Sequence, residues 1–248
     1  MPQGGSATLS IQDLGMIRVP SGRLGASDPF VDLEHSVIVP IPPGDYPVRV
    51  TIADVSPEQD GSHFREAYLS VVLSGAESEL VAPANGPDGP PPIDQFFGVG
   101  VDAGTVAFVD VEAVRRCMPE DTTTWYETVF ETGNAESWFS VMDADTPLIS
   151  GTANLVMPRA NAGENVVLSH SGWGDGFYPL LETRGSDGQL TGIHIDLRVV
   201  GPIDEDYEPD DLEDDEPDDL AEVEPDAPEV APSIEPKPKN WLSRLLRR

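Results

Sequence analysis

Lysine, cysteine and long apolar runs are scarce in this sequence. Residues 1–202 contain no lysine and only nine arginines against 28 acidic residues, which gives a net charge of about −19. A nucleic-acid-binding surface needs Lys and Arg to displace counterions from phosphates, so this charge excludes nucleic acid. It favours a basic protein or cations as partners, and the alternative is an acidic surface that only keeps the protein soluble.

The single cysteine, Cys117, rules out an internal disulfide and a cysteine zinc cluster. A lone thiol usually packs as a small apolar side chain, so we expect no chemistry from it. No residue pattern predicts a metal site or a cofactor. No apolar run approaches the length of about 20 residues that spans a bilayer, and no signal-peptide pattern opens the sequence. We therefore expect a cytoplasmic protein, at most peripherally attached to a membrane or an assembly.

Composition changes abruptly near Pro202 and predicts three regions. Residues 1–202 form a β-rich globular domain. Residues 203–236 are rich in Asp, Glu and Pro and have too few apolar residues to fold, so we expect a disordered acidic tether. Residues 237–248 form a short basic amphipathic peptide.

The terminal peptide combines apolar residues at helical spacing with arginines. This pattern predicts docking to a partner groove or to an anionic membrane surface, with the helix ordering only when bound. The alternative is a charged terminus that folds back on the acidic tether. The docking residues are Trp241, Leu242, Arg244, Leu245, Leu246 and Arg247.

The domain is mainly β in pattern. Short β-branched or alternating runs recur between Gly, Pro, Asp and Asn residues, and they include "YPVRVTIADV", "EAYLSVVLSG", "TVAFVDV", "SWFSVM", "NVVLSHS" and "LTGIHIDLRVV". Helical patterns are confined to "VEAVRRCM" and "TTTWYETVFETG", the second capped by Thr122 or Thr123 and ended by Gly133. An antiparallel β-sandwich or rolled sheet with one or two short helices fits best.

Two turns are predicted from glycine positions. Gly185 and Gly188 suit a hairpin turn before the last strand. Asp102 and Gly104 predict a second hairpin, between two apolar strands. An Asp-x-Gly-Thr turn also occurs in the phosphate loops of actin-like and sugar-kinase ATPases, but those folds need two large α/β halves that this sequence does not predict.

Several segments resemble one known family. "DPF", "PPGDYPVRVTIAD", "FFGVGVDAGTVAFVD" and "SHSGWGDGFYPLLETRGSDGQLTGIHIDL" are similar, in order and spacing, to the bacterial family catalogued as domain of unknown function 4241. The resemblance covers about residues 14–200. It implies family membership and brings no activity, cofactor or partner with it.

The segment "HSGWGDGFYP" is the best candidate for a site because glycines alternate with large or polar residues. It is either a structural turn, in which Trp173 plugs one end of the core and Asp175 accepts backbone N–H bonds, or a recognition loop. As a recognition loop it would offer Trp173 as a wall, Asp175 as an acceptor and Tyr178 as a donor. Further polar groups from neighbouring strands would be Asp102, His170 and His194, the two histidines on strands that pair or neighbour.

Two functions follow from these patterns. The first, which we favour, is a non-enzymatic binding or adaptor protein, in its specific form an immunity-type inhibitor that covers a basic protein, with a C-terminal recruitment peptide. The second is a small enzyme with its site around the glycine loop. Clustering of the candidate side chains in one open pocket would favour the enzyme, whereas their separation would favour the binding protein.

Overall fold

The computed structural model describes residues 7–144 and 148–201. In chain order the strands are β1 (Thr8–Val19), β2 (Arg23–Ser27), β3 (Val37–Pro40), β4 (Gly44–Asp54), β5 (Phe64–Val72), β6 (Leu80–Pro83), β7 (Gly98–Val101), β8 (Thr105–Asp110), β9 (Thr152–Val156), β10 (Asn165–His170), β11 (Gly176–Arg184) and β12 (Leu190–Asp196). The α-helices are α1 (Val111–Cys117) and α2 (Trp138–Met142), with 3-10 turns at Leu33–His35 and Thr122–Thr124 and a π-helical turn at Tyr126–Phe130. The predicted tether and docking peptide lie outside the described residues.

The strands form two antiparallel sheets, which confirms the mainly antiparallel β class. The first sheet has the order β1-β4-β5-β12-β11-β6, with β7 paired to the start of β11, and the second has the order β3-β2-β8-β10-β9. One core cluster contains residues of both sheets, among them Val50 and Leu69 of the first and Phe108 and Val167 of the second. The two sheets therefore pack face to face as a sandwich.

The second sheet is buried on both of its faces. Val106 and Phe108 of β8 face the first sheet, while Ala107 and Val109 belong to a separate cluster with α1, α2 and the π-helical turn. All six residues of β8 are buried. A strand covered on both faces has no polar side, which explains why "TVAFVD" is almost continuously apolar. Cys117 is buried in the helical layer.

The helical layer differs from the sequence expectation in two places. "SWFSVM" was predicted as a strand, and this prediction is wrong, because Trp138 and Met142 lie one turn apart on a buried helical face and Ser137 caps the helix. In the segment 122–133 the cap is Asp121, which accepts the Thr123 N–H (3.1 Å), and the helical turns end at Phe130. The α1 pattern is confirmed, with Asp110 as its cap.

The two predicted hairpin turns have different outcomes. The β11–β12 hairpin is confirmed, since Gly185 bonds to Gln189 across the turn (3.0 Å) and Gly188 has φ +78°. The turn at 102–104 is not a hairpin: β7 pairs with β11 of the first sheet, and β8 pairs with β2 and β10 of the second. It is a crossover between the sheets.

Two asparagines of the second sheet hold the irregular part of β1. A bulge interrupts the β1–β4 register between Asp13 and Met16, and the side chain of Asn165, only 4% exposed, binds there. Asn165 Oδ1 accepts the Arg18 N–H (3.0 Å), and its Nδ2 donates to the Met16 carbonyl (2.8 Å) and to Asn154 Oδ1 (2.7 Å). Amide side chains of the second sheet thus bind backbone groups of β1 directly after the bulge.

We predict that Asn165→Ala lowers the free energy of unfolding by about 2–4 kcal/mol, because it removes a buried amide together with its bonds to the Arg18 N–H, the Met16 carbonyl and Asn154. Asn161→Ala is the matched control, since Asn161 is exposed and makes one long side-chain bond (3.4 Å). Urea denaturation measures both variants. Equal stability of the two would contradict the role of Asn165.

Candidate functional site

Two crossovers between the sheets lie side by side at one end of the sandwich. Residues 102–104 lead from β7 to β8, and the glycine loop, residues 171–175, leads from β10 to β11. The Ser171 N–H donates to the Gly104 carbonyl (3.0 Å), and the Gly104 N–H donates to Asp175 Oδ1 (3.1 Å). The expectation that Asp175 accepts a backbone N–H therefore agrees with the geometry.

Asp28 joins a third segment to these crossovers. Its side chain is fully buried, and its Oδ2 accepts the N–H groups of Asp102 (3.0 Å) and Ala103 (2.7 Å), while Oδ1 accepts that of Phe30 (3.0 Å). Burial raises the pKa of the Asp28 carboxyl above its usual value, the three N–H donors oppose this rise, and the charge of Asp175 adds to it. The carboxyl group thus fixes the 102–104 turn from inside the protein.

The turn at residues 102–104 resembles a phosphate loop in sequence, but its backbone N–H groups already have partners. Phosphate cradles use consecutive free backbone N–H groups. Here the N–H groups of residues 102–104 already donate to Asp28 and Asp175. Asp102 itself is exposed and offers only its backbone to this network.

Tyr178 supports the glycine loop from below. It is 1% exposed, and its hydroxyl donates to the Gly174 carbonyl (2.8 Å), which also accepts from Ser171 Oγ (2.6 Å). A Cβ at Gly172, which has φ +73°, would lie 2.6 Å from the Glu66 carbonyl. Tyr178 is therefore a support inside the loop and not the donor facing a pocket that the sequence suggested.

Trp173 does not plug the core, and that expectation is wrong. Its side chain is 41% exposed, and the Arg65 guanidinium carbon lies 5.5 Å from the centre of the indole ring. The glycines on both sides have positive φ, which turns residue 173 outward from the loop.

The exposed indole borders an open cleft of about 330 Å³. One wall consists of Phe64, Arg65 and Glu66 at the start of β5, and the other consists of residues 170–174, with Gly104 between them. His170 is exposed at the end of β10 and contributes to the second wall. Burial raises the pKa of the half-buried Glu66 carboxyl, while its own N–H and the charges of His170 and Arg65 partly oppose this rise.

His194 lies away from the cleft. β12 belongs to the first sheet and β10 to the second, so the prediction that the two histidines lie on paired or neighbouring strands is wrong. Ile193 and Ile195 point into the core, which places His194 on the opposite face of the sheet. Its Nδ1 lies 2.8 Å from Ser70 Oγ and its Nε2 lies 3.0 Å from Thr183 Oγ1. Burial lowers the pKa of His194 to about 4.

The candidate residues therefore separate into three groups. Trp173 and His170 line the cleft, Asp175, Asp102 and Tyr178 build the loops beside it, and His194 belongs to another face. Asp28, Arg65 and Glu66 were missed by sequence reasoning. The "DPF" segment marks Asp28 as unusual, whereas nothing in the sequence connects Glu66 with His170, 104 positions later.

The described ranges show neither a metal-binding cluster nor a membrane-spanning helix. Within residues 7–144 and 148–201, no three His, Cys, Asp or Glu side chains come together in a way that could hold a metal ion. No helix in these ranges is long and apolar enough to cross a membrane.

Fold and site define an antiparallel two-sheet protein with an open cleft between the glycine loop and the start of β5. The model of the family described as "Protein of unknown function (DUF4241)" matches residues 17–195, so the chain belongs to this family. The resemblance seen in the sequence is thereby confirmed. No curated protein and no solved structure matches the chain significantly.

We predict that Asp28→Ala lowers the free energy of unfolding by about 3–5 kcal/mol, since it removes the buried carboxylate that accepts three backbone N–H bonds. Trp173→Ala should cost less, because Trp173 is already 41% exposed and lies outside the core. Asp187→Ala is the control, since Asp187 is an exposed turn residue that accepts one N–H (3.0 Å). Urea denaturation that ranks Trp173→Ala above Asp28→Ala would contradict this assignment.

We also predict a pH-dependent contribution from His194. Its pKa is about 4 in the folded protein, below the ordinary histidine value of 6.5 that we assign to the unfolded chain, so protons bind preferentially to the unfolded chain at acid pH. The contribution is absent above about pH 6.5, and it destabilises the protein by a growing amount down to pH 4, reaching about 3 kcal/mol.

Comparison with a variant that lacks the histidine separates the contribution of His194 from those of the buried carboxyl groups. The difference in unfolding free energy between the natural protein and His194→Gln, measured at pH 7 and at pH 4, should change by about 3 kcal/mol in favour of the variant. A difference that does not vary with pH would contradict the prediction.

Proposed function

We propose that the domain is a non-catalytic binding module that holds a basic protein, and that the terminal peptide recruits the complex to a second partner or to an anionic membrane surface. An immunity-type inhibitor, which covers a basic toxin or nuclease, is a specific form of this function. The proposal places the protein in the cytoplasm, with peripheral attachment through residues 237–248.

One observation carries the proposal: exposed aromatic rings lie in the glycine loop, directly after it, and across the cleft from it. Phe64, Trp173 and Phe177 are 54%, 41% and 52% exposed. The Phe177 ring stacks on Phe96 at 5.7 Å between centroids. We call this surface the aromatic end, and it consists of Phe64, Arg65, Phe96, Trp173, Phe177 and Arg198.

The composition of the aromatic end is typical of a protein-binding surface. Arg65 lies over Trp173, and the Arg198 guanidinium carbon lies 5.6 Å from the centre of Phe96. Aromatic residues and arginine are enriched at the centres of protein interfaces, where they contribute most of the binding free energy. The surrounding charge of about −19 on residues 1–202 adds long-range attraction for a basic partner.

The arrangement of hydroxyl groups supports binding over the small-enzyme alternative. A hydrolytic site needs a nucleophile beside a base. Ser171 Oγ donates to a loop carbonyl, Ser169 is fully buried and donates to the His170 carbonyl, and His194 lies on another face. The candidate residues of the enzyme hypothesis thus do not meet in one pocket.

The test is capture of proteins from a bacterial lysate with the immobilised full-length chain. We expect it to retain proteins of high isoelectric point, and the double variant Trp173→Ala, Phe177→Ala to lose them. Tyr126→Ala is the matched control, since Tyr126 is 46% exposed in the helical layer. Retention of no basic protein, or equal retention by all three chains, would contradict the proposal.

The recruitment peptide needs a separate experiment. Burial of Trp241 and Leu245 supplies apolar attraction that salt does not screen, so Trp241→Ala with Leu245→Ala should abolish attachment, whereas raised salt should only weaken it. Co-sedimentation with anionic vesicles and pull-down from lysate each compare the two chains. Identical behaviour in both assays would exclude recruitment by this peptide.

A further inference from the structure

The cleft beside the glycine loop is open because its lining includes residues without side chains. A Cβ at Gly104 or Gly174 would meet no atom within 4 Å, so both positions face free space. Its volume of about 330 Å³ lies at the lower end of the range for ligand pockets, about 300–1,000 Å³. A single side chain of a partner matches this size better than a large cofactor does.

Glu66 is the one acidic residue among the described residues that line this cleft. No Arg or His nitrogen of the described chain lies within 4.0 Å of its oxygens. The charges of His170 and Arg65 act on the Glu66 carboxylate from beyond this distance and offset its desolvation cost only in part, so a cation in direct contact would relieve the remainder. The carboxylate is therefore a complementary group for a cation in the cleft.

Trp173 adds an aromatic wall next to this carboxylate. Arg65 already shows that the indole accepts a guanidinium at 5.5 Å, and 41% of the Trp173 side chain remains exposed. Arg65 Nη1 donates to the Phe64 carbonyl (3.3 Å), and the Arg65 guanidinium forms no ion pair with Glu66 within 4.0 Å. Aromatic faces and carboxylates together suit a guanidinium, which stacks and forms two parallel hydrogen bonds.

We propose that the cleft binds one arginine side chain of the basic partner, with its guanidinium on the Glu66 carboxylate and against the exposed part of the Trp173 indole. The proposal rests on the proposed function and specifies which group of the partner enters the domain. Lysine would bind more weakly, because an ammonium group cannot form the paired bonds of a guanidinium.

The test titrates the full-length chain with three blocked tripeptides and follows the Trp173 indole N–H signal by NMR. The central residue is arginine, lysine or citrulline, the last having the shape of arginine without its charge. We expect the arginine peptide to shift the signal in a saturable way, the lysine peptide to bind more weakly and the citrulline peptide to leave the signal in place. Trp173→Phe identifies the signal.

Glu66→Gln should weaken binding of the arginine peptide by about fivefold or more, the size of a partly exposed ion pair. Glu127→Gln removes the same charge from an exposed position in the helical layer and should leave binding unchanged. The comparison of arginine with citrulline needs no variant and remains decisive if Glu66→Gln does not fold. Equal binding of arginine and citrulline, no saturable shift, or equal effects of the two Gln variants would overturn the proposal.

Two further outcomes separate the possible occupants. If replacement of Arg244, Arg247 and Arg248 by Gln moves the Trp173 signal before any peptide is added, the occupant is the chain's own terminus and the proposal is overturned. If the chain captures a basic protein through Trp173 and Phe177 but capture does not depend on Glu66, the proposed function holds and the arginine site fails alone.

Discussion

The buried carboxylate of Asp28 is the interaction on which this end of the molecule depends. It accepts three backbone N–H groups, one from its own turn and two from the crossover at 102–104. That crossover supports the glycine loop through the bond between Gly104 and Asp175. The cleft therefore has fixed walls although they consist mostly of loops, because each loop is bonded to another whose position is set from the interior. Three of the sequence segments that resemble the family contain these residues, and they meet beside the cleft. The segments lie around residues 28, 102–104 and 171–175.

The layered architecture explains why the crossovers gather there. The second sheet is covered by the first sheet on one face and by helices on the other, so chain passing between the sheets must run around their ends. The first sheet keeps one face outside the core, and its polar side chains include His194 bonded to Ser70 and Thr183. The polar outer face and the open end thus have different chemistry. On the outer face both ring nitrogens of His194 have hydroxyl partners, whereas the aromatic end exposes the rings of Phe64, Trp173 and Phe177.

Charge and shape act at different ranges in the proposed binding mode. The acidic surface attracts a basic protein over a Debye length, about 8 Å at physiological ionic strength, but it does not select an orientation. In the proposal, orientation comes from contacts at the aromatic end and in the cleft beside it, where a guanidinium would find both the Trp173 indole and the Glu66 carboxylate. Arg65 and Arg198 are positively charged residues of the same surface. Each already lies over an aromatic ring there, so their presence agrees with a surface that accepts guanidinium groups.

Local patterns in the sequence determined the fold class, the α1 helix, the last hairpin and the alternation of β12, because neighbouring residues decide each of these. They failed where neighbours give ambiguous information. "SWFSVM" fits the period of a helix as well as that of a strand. The bulge in β1 interrupts the alternation that would mark this strand. Pro179 lies inside β11, although a proline argues against a strand. The site was predicted only in part: the glycine loop and Trp173 were identified, but the outward direction of the indole was not. Asp28, Glu66 and the separation of His170 from His194 were decided by the tertiary structure alone. The positions of residues 66 and 170 around one cleft, and the bond between residues 28 and 102, depend on which sheet each strand joins, and no local pattern contains that information.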